Sequence, residues 1–172
     1  LPLAEAVANT ENVAVRQRAQ FLAAATQAGL PLNLDAWDGY PAARNRLYQA
    51  AQESEANLLV LSGDSHNGWA SDLQHDGAHV GVEMAGHSVT SPGFESFLPQ
   101  MPAETVARSL VEASPDLRWA DTSGRGYLTV TLTPEAARGE WLFLDTIRER
   151  STEIAYRRTQ TAQHGARQLD TA

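Results

Sequence analysis

The chain has 172 residues, 42% of them apolar, with 21 acidic and 13 basic residues, no cysteine and a formal charge of −8. That length suits one domain with a real core and excludes a disordered chain, while the missing cysteine excludes disulfides, thiolate metal sites and cysteine nucleophiles. The negative charge disfavours non-specific nucleic-acid binding but leaves a phosphorylated substrate open, because bound cations reverse a local field.

A first helix is predicted over residues 12–28, where Val15, Ala19, Leu22 and Thr26 recur near helical spacing and Gly29 supplies a stop. The run PLNLDAWDGYP is an irregular, anchored segment. Its Leu34, Trp37 and Tyr40 are expected to pack, and Asp35 and Asp38 to cap or turn, with cation binding as the alternative. Pro41 opens a second helix to about residue 55, with Tyr40, Arg44, Leu47 and Ala51 on one face. NLLVL then reads as a short apolar strand that breaks into the polar turn SGDSHNGW. Val80, Val82 and Met84 alternate as in a half-buried strand. GHSVTSPGF is a loop, and residues 94–111 are mainly helical with Pro99 and Pro102 breaking the middle. Leu117, Trp119 and Asp121 suit a short strand. After the SGRG turn, YLTVTLT alternates with Leu128, Val130 and Leu132 on one face. TPEAARGE is the next turn. WLFLDTI and TEIAYRRTQTA make an antiparallel pair, and the last eight or nine residues form a polar tail. The order describes a mixed α/β (α+β) layer structure. Two helices feeding one strand is also how a piece of a larger sheet reads. No run approaches the length of a membrane span. No signal peptide is read, and a start at Leu1 suggests processing or excision from something longer.

The informative segment is Gly63-Asp64-Ser65-His66-Asn67-Gly68-Trp69, at the mouth of an apolar strand. In open α/β sheets ligands bind beyond the C-terminal strand ends. The spacing of two puts Asp64 and His66 on one side if strand geometry persists. Carboxylate oxygen and imidazole nitrogen suit first-row metals, and calcium would favour the aspartate. Gly63 allows backbone to approach an anion or ion, and Asn67 offers a carbonyl ligand or a hold on phosphate oxygen. The plainer reading is a turn, which Asp, Asn and Gly all favour. His87, beside small hydroxylated residues, is a candidate for metal or for donating a proton to phosphate, or else a satisfied loop histidine. Ser91-Pro92 fits a helix start. His75 and His79 flank an Asp-Gly turn and read as exposed hairpin histidines. Trp69 either walls the site, locks its loop, or packs in the core. No G-x-S-x-G elbow supports a serine hydrolase.

VLSGDSHNGWASDL resembles the late metal-binding motif of the PhoD-like alkaline phosphatases, within the calcineurin-like metallophosphoesterases. LDAWDGYPAARNRL, VGVEMAGHSVTSPGFE and RGYLTVTLTPEAARGEWLFLDTI resemble the flanking stretches of the same proteins, in the same order. The resemblance implies a four-layer α/β/β/α sandwich, of which residues 1–172 would be the C-terminal portion. It implies hydrolysis of phosphate monoesters and diesters with two or more metals, often Ca2+ with Fe3+, in an exported, periplasmic or secreted parent. Asp64 and His66 match the G-D-x-H motif, one touching metal directly and the other acting behind it, in either order, and Asn67 stands where the family also prefers a polar residue. Read from the residues themselves, Asn67 and His87 are candidates toward phosphate, and Gly63 and Trp69 for shaping the site. The family's earlier motifs, of G-D-x and D-D-H type, have no counterpart before residue 57. The remaining ligands are therefore expected on an N-terminal half of the same domain. The alternative is a catalytically inert packing or interaction module.

Overall fold

The computed structural model describes residues 35–171 together with the isolated positions 11, 13, 16, 17 and 20. The helix expected over 12–28, and Leu34, lie outside the described residues apart from those positions. The chain divides into two compact units, Leu1–Ser54 and Glu55–Ala172.

In the first unit a 3-10 turn, Trp37–Gly39, leads into α1, Pro41–Glu53, with proline in its opening turn where no N–H partner is needed. Asp38 and Arg44 form an ion pair across this entry. Ala51 is buried, but Trp37 and Tyr40 are half exposed, so the aromatic residues expected to pack do not do so.

The second unit holds two sheets. The first contains β1 (Leu58–Ser62), β2 (Gly68–His75), β3 (Ala78–Ala85) and β4 (Leu117–Asp121), in the order β1-β3-β2-β4. Strand β1 runs parallel to β3, and β2 is antiparallel to both of its neighbours. The β2–β3 hairpin turns at Asp76 and Gly77, both left-handed (φ 50° and 77°), the geometry that matches strand twist in a two-residue loop. The connection from β3 to β4 carries a 3-10 turn, Phe94–Ser96, and α2, Ala103–Ala113, for which Pro102 is the N-cap. The expected helix over 94–111 is thus split at its prolines, which cannot donate to a helical ladder.

The second sheet is an antiparallel meander of β5 (Gly126–Leu132), β6 (Ala136–Leu144) and β7 (Ile154–Gln163). Strand β6 begins inside the stretch expected to be a turn. Only Thr133–Glu135 turns, where the Thr133 hydroxyl accepts from the Glu135 and Ala136 N–H groups.

The two sheets share one core. Ala70, Val82 and Met84 of the first meet Trp141, Phe143 and Ala162 of the second, with Leu59, Trp119, Leu128 and Val130 packed around them. Trp141 and Phe143 are fully buried, and rings of this size each contribute about 1.5–3 kcal/mol by leaving water. The Trp141 indole N–H donates to the Ala85 carbonyl at 2.8 Å, so the largest core side chain leaves no polar orphan. Gly139 makes room for this packing, since a Cβ there would lie 2.5 Å from Met84 Sδ.

The expected polar tail is instead part of the core. Leu169 is 2% exposed, its N–H donates to buried Asp72 Oδ1 at 2.7 Å, and the Asp170 N–H donates to Thr161 O at 2.8 Å. Among the described residues no helix is long and apolar enough to cross a membrane.

Candidate functional site

Strands β1 and β3 are parallel and end together, with Ser62 paired to Ala85. The loops that follow, 63–67 and 86–93, therefore leave the same end of the sheet, where open α/β folds place their sites. An apolar hollow of about 230 Å3, lined by Leu58, Leu59 and Leu132 among others, lies at the opposite end of β1.

Strand geometry stops at Ser62. Asp64 (φ 64°) and His66 (φ 61°) are both left-handed, and the Ser65 N–H donates to Gly63 O at 2.7 Å. Two non-glycine residues at positive φ, two apart, store backbone strain of a kind that clusters at functional sites. The premise of a continuing strand is thereby replaced by a tight loop. Gly63 is exposed, with open space where a Cβ would stand. Asp64 is exposed, and its carboxylate has no hydrogen-bond or ion partner among the described residues.

His66 is exposed, but one ring nitrogen is committed. Its Nδ1 lies 3.0 Å from the Pro92 carbonyl. A carbonyl only accepts, so Nδ1 carries a proton, and whenever the ring holds just that one proton the Nε2 lone pair is free. Metal-ligating histidines are commonly fixed this way by a backbone carbonyl, so the ring fits a divalent or trivalent ion. Asp64 adds a hard oxygen donor. Among the described residues no three His, Asp or Glu side chains converge as a metal site. A two-metal centre needs more ligands than one aspartate and one histidine.

Asn67 is 1% exposed. Its amide donates to Ser65 O at 2.6 Å and its Oδ1 accepts from the Phe94 N–H at 3.1 Å. Both ends of the carboxamide are used inside the loops. The Trp69 indole N–H donates to Ser65 Oγ at 2.6 Å, and the ring meets Phe94 edge-on, 5.9 Å between centroids. Trp69 thus braces the 63–67 loop against the 86–97 segment.

His87 is 8% exposed, and its ring stacks on Phe143 at 4.3 Å. Its Nε2–H donates to Leu142 O at 3.2 Å, while Nδ1 is buried without a partner. Burial lowers its pKa, partly offset by the Leu142 carbonyl and Asp121 and reinforced by Arg125. The ring is therefore neutral and core-facing, and a role toward phosphate would require it to leave the stack. No hydrogen bond, ion pair or ring contact among the described residues joins His87 to Asp64 or His66. On the other face of Phe143 lies Tyr156, stacked at 4.1 Å. Its hydroxyl donates to Asp121, and burial together with that carboxylate pushes the phenol well above its usual range. His75 and His79 sit on the β2–β3 hairpin, but both are half-buried rather than exposed.

Sequence reasoning missed the partners Pro92, Gly93 and Phe94. Proline and glycine in this loop read as turn punctuation, and nothing local marks a bond spanning 26 residues.

A sequence model of the PhoD-like phosphatase family matches residues 5–141, so the chain belongs to that family. The chain is 30% identical over 138 residues to alkaline phosphatase D of Bacillus subtilis (strain 168), covering 77% of this chain and 23% of that protein. It is similar to a solved structure of PhoD with a TM-score of 0.65 and 27% identity, over 79% of this chain and 26% of the other. The mixed α+β fold is accordingly related to that structure, and the chain spans about a quarter of the length of these relatives.

Proposed function

We propose that this chain is the C-terminal portion of a metal-dependent phosphoesterase, and that the 63–67 loop is its late contribution to the metal site. The observation that carries the reading is the orientation of His66, with Nδ1–H on the Pro92 carbonyl and Nε2 free, in the same loop as the exposed carboxylate of Asp64. The family match and the similarity to an alkaline phosphatase support hydrolysis of small phosphate monoesters and diesters. The parent domain is then a four-layer α/β/β/α sandwich whose N-terminal half carries the remaining ligands, in a periplasmic or secreted protein.

In this reading Asp64 and His66 would help to hold Ca2+ and Fe3+, which would supply Lewis-acid charge for the phosphoryl oxygens and the attacking water. Asp64 offers the hard oxygen donor. His66 would bind a metal through Nε2, or, as the imidazolium with a proton on Nε2 as well, position the phosphate or hand that proton to the leaving oxygen. Asn67 and Trp69 hold the loop that carries them, Gly63 leaves its approach open, and His87 supports the following loop from beneath.

The test is hydrolysis of an aryl phosphate by the full-length protein. Asp64→Ala and His66→Ala each abolish turnover with the fold retained. Near-normal turnover in both, from folded protein, removes the assignment. A second reading, an inert packing module, is favoured by the lack of a third converging ligand among the described residues. It requires that the full-length protein neither turn over nor retain metal.

A further inference from the structure

Resting on that catalytic reading, we infer that Asn67 and Gly93 are positioning residues: together they hold the Pro92 carbonyl where it fixes the tautomer of His66. Each link is a short contact. Asn67 Oδ1 accepts from the Phe94 N–H at 3.1 Å, and the Asn67 amide is tied back to Ser65 O at 2.6 Å. The carboxamide thus binds the two loops on either side of His66 and Pro92. It is 1% exposed, so water does not compete for these bonds.

Gly93 makes the approach possible for steric reasons. Its backbone is extended (φ −97°, ψ −150°), a conformation open to alanine. A Cβ there, however, would collide with Asn67 Oδ1 and lie 3.0 Å from the Thr122 carbonyl and from Glu95 Oε2. A buried carboxamide and a backbone carbonyl have little room to give, so the added methyl pushes the 92–94 segment off the Asn67 clamp. The Pro92 carbonyl then leaves His66, and Nδ1 loses its acceptor. A histidine freed of that bond reverts to a tautomer mixture in which Nε2 also carries the proton and its lone pair is lost to the site.

The experiment labels the ring nitrogens of histidine in the full chain with 15N and reads the tautomer of His66 at a pH where it is neutral. His66→Gln assigns its signals among the five histidines. The Trp141 indole signal, set by its bond to Ala85 O, reports an intact core in every variant. Wild type shows the Nδ1–H form. Asn67→Ala and Gly93→Ala each move the population toward Nε2–H, whereas Asn67→Asp, which keeps an acceptor for the Phe94 N–H, retains the wild-type form more fully. In the full-length protein, loss of such an orienting partner lowers kcat/KM for an aryl phosphate by about 10- to 100-fold. An unchanged Nδ1–H tautomer in both alanine variants, with the Trp141 signal in place, overturns the inference and leaves the catalytic reading standing. Full turnover in His66→Ala removes the catalytic reading and leaves the tautomer result untouched.

Discussion

Asp64 holds a left-handed backbone (φ 64°) although its side chain makes no bond among the described residues that would repay the strain. Strain without a local return is expected where a side chain is aimed at something outside the chain. Replacing it with glycine, which adopts that angle freely, raises the unfolding free energy by about 1 kcal/mol while abolishing turnover in the full-length protein. Chemical denaturation beside an activity assay checks both. At His87 the sign of a pH effect follows from burial. Its folded pKa lies below the unfolded value of 6.5, so the unfolded chain takes up the proton first. The stability from its neutral, stacked state is fully present above pH 6.5 and is lost as the pH falls below it. Melting temperatures across the acid range show this slope in the wild type and a shallower one in His87→Leu. The Gly-Asp-x-His pattern was readable because metal-type donors cluster at a strand end. The tautomer of His66 was not, because its partner lies 26 residues away in a loop that reads only as a turn.

At the scale of elements, legibility followed side-chain size. Strands β1, β5 and β7 show themselves by apolar or alternating runs. Strand β2 does not, because its buried positions include Gly68, Ala70 and Asp72, two of them small and one charged. Asp72 is tolerated there because Leu169 N–H and the Arg118 guanidinium, 3.6 Å away, meet its oxygens. The same residues explain why the tail looked polar: a single leucine, Leu169, fills the core while its neighbours stay in water. Leu169→Ala is expected to cost about 2–5 kcal/mol, the range for emptying a buried leucine site. Truncation before residue 169 is expected to cost at least as much, since Asp72 then also loses its N–H partner. Urea denaturation of both variants separates this arrangement from a tail that merely rests on the surface, for which the cost is within about 0.5 kcal/mol. The extended reach of β6 went unread because Ala136, Ala137 and Gly139 carry little β preference and owe their place to pairing with β5 and β7.

For the whole molecule, we propose that the Glu55–Ala172 unit brings one metal-site loop, held in geometry, to a centre completed by residues outside this chain. The match to about a quarter of each relative's length is consistent with that division, as is the lack of three converging His, Asp or Glu side chains among the described residues. The most direct measurement is aryl phosphate hydrolysis by this 172-residue chain with Ca2+ and Fe3+ supplied, alone and after adding the polypeptide that carries the earlier metal motifs, each beside Asp64→Ala. No turnover is expected from the chain alone, and metal-dependent turnover from the pair, which Asp64→Ala removes. Turnover by the chain alone, lost in Asp64→Ala, would contradict the proposal by showing a complete site within these residues.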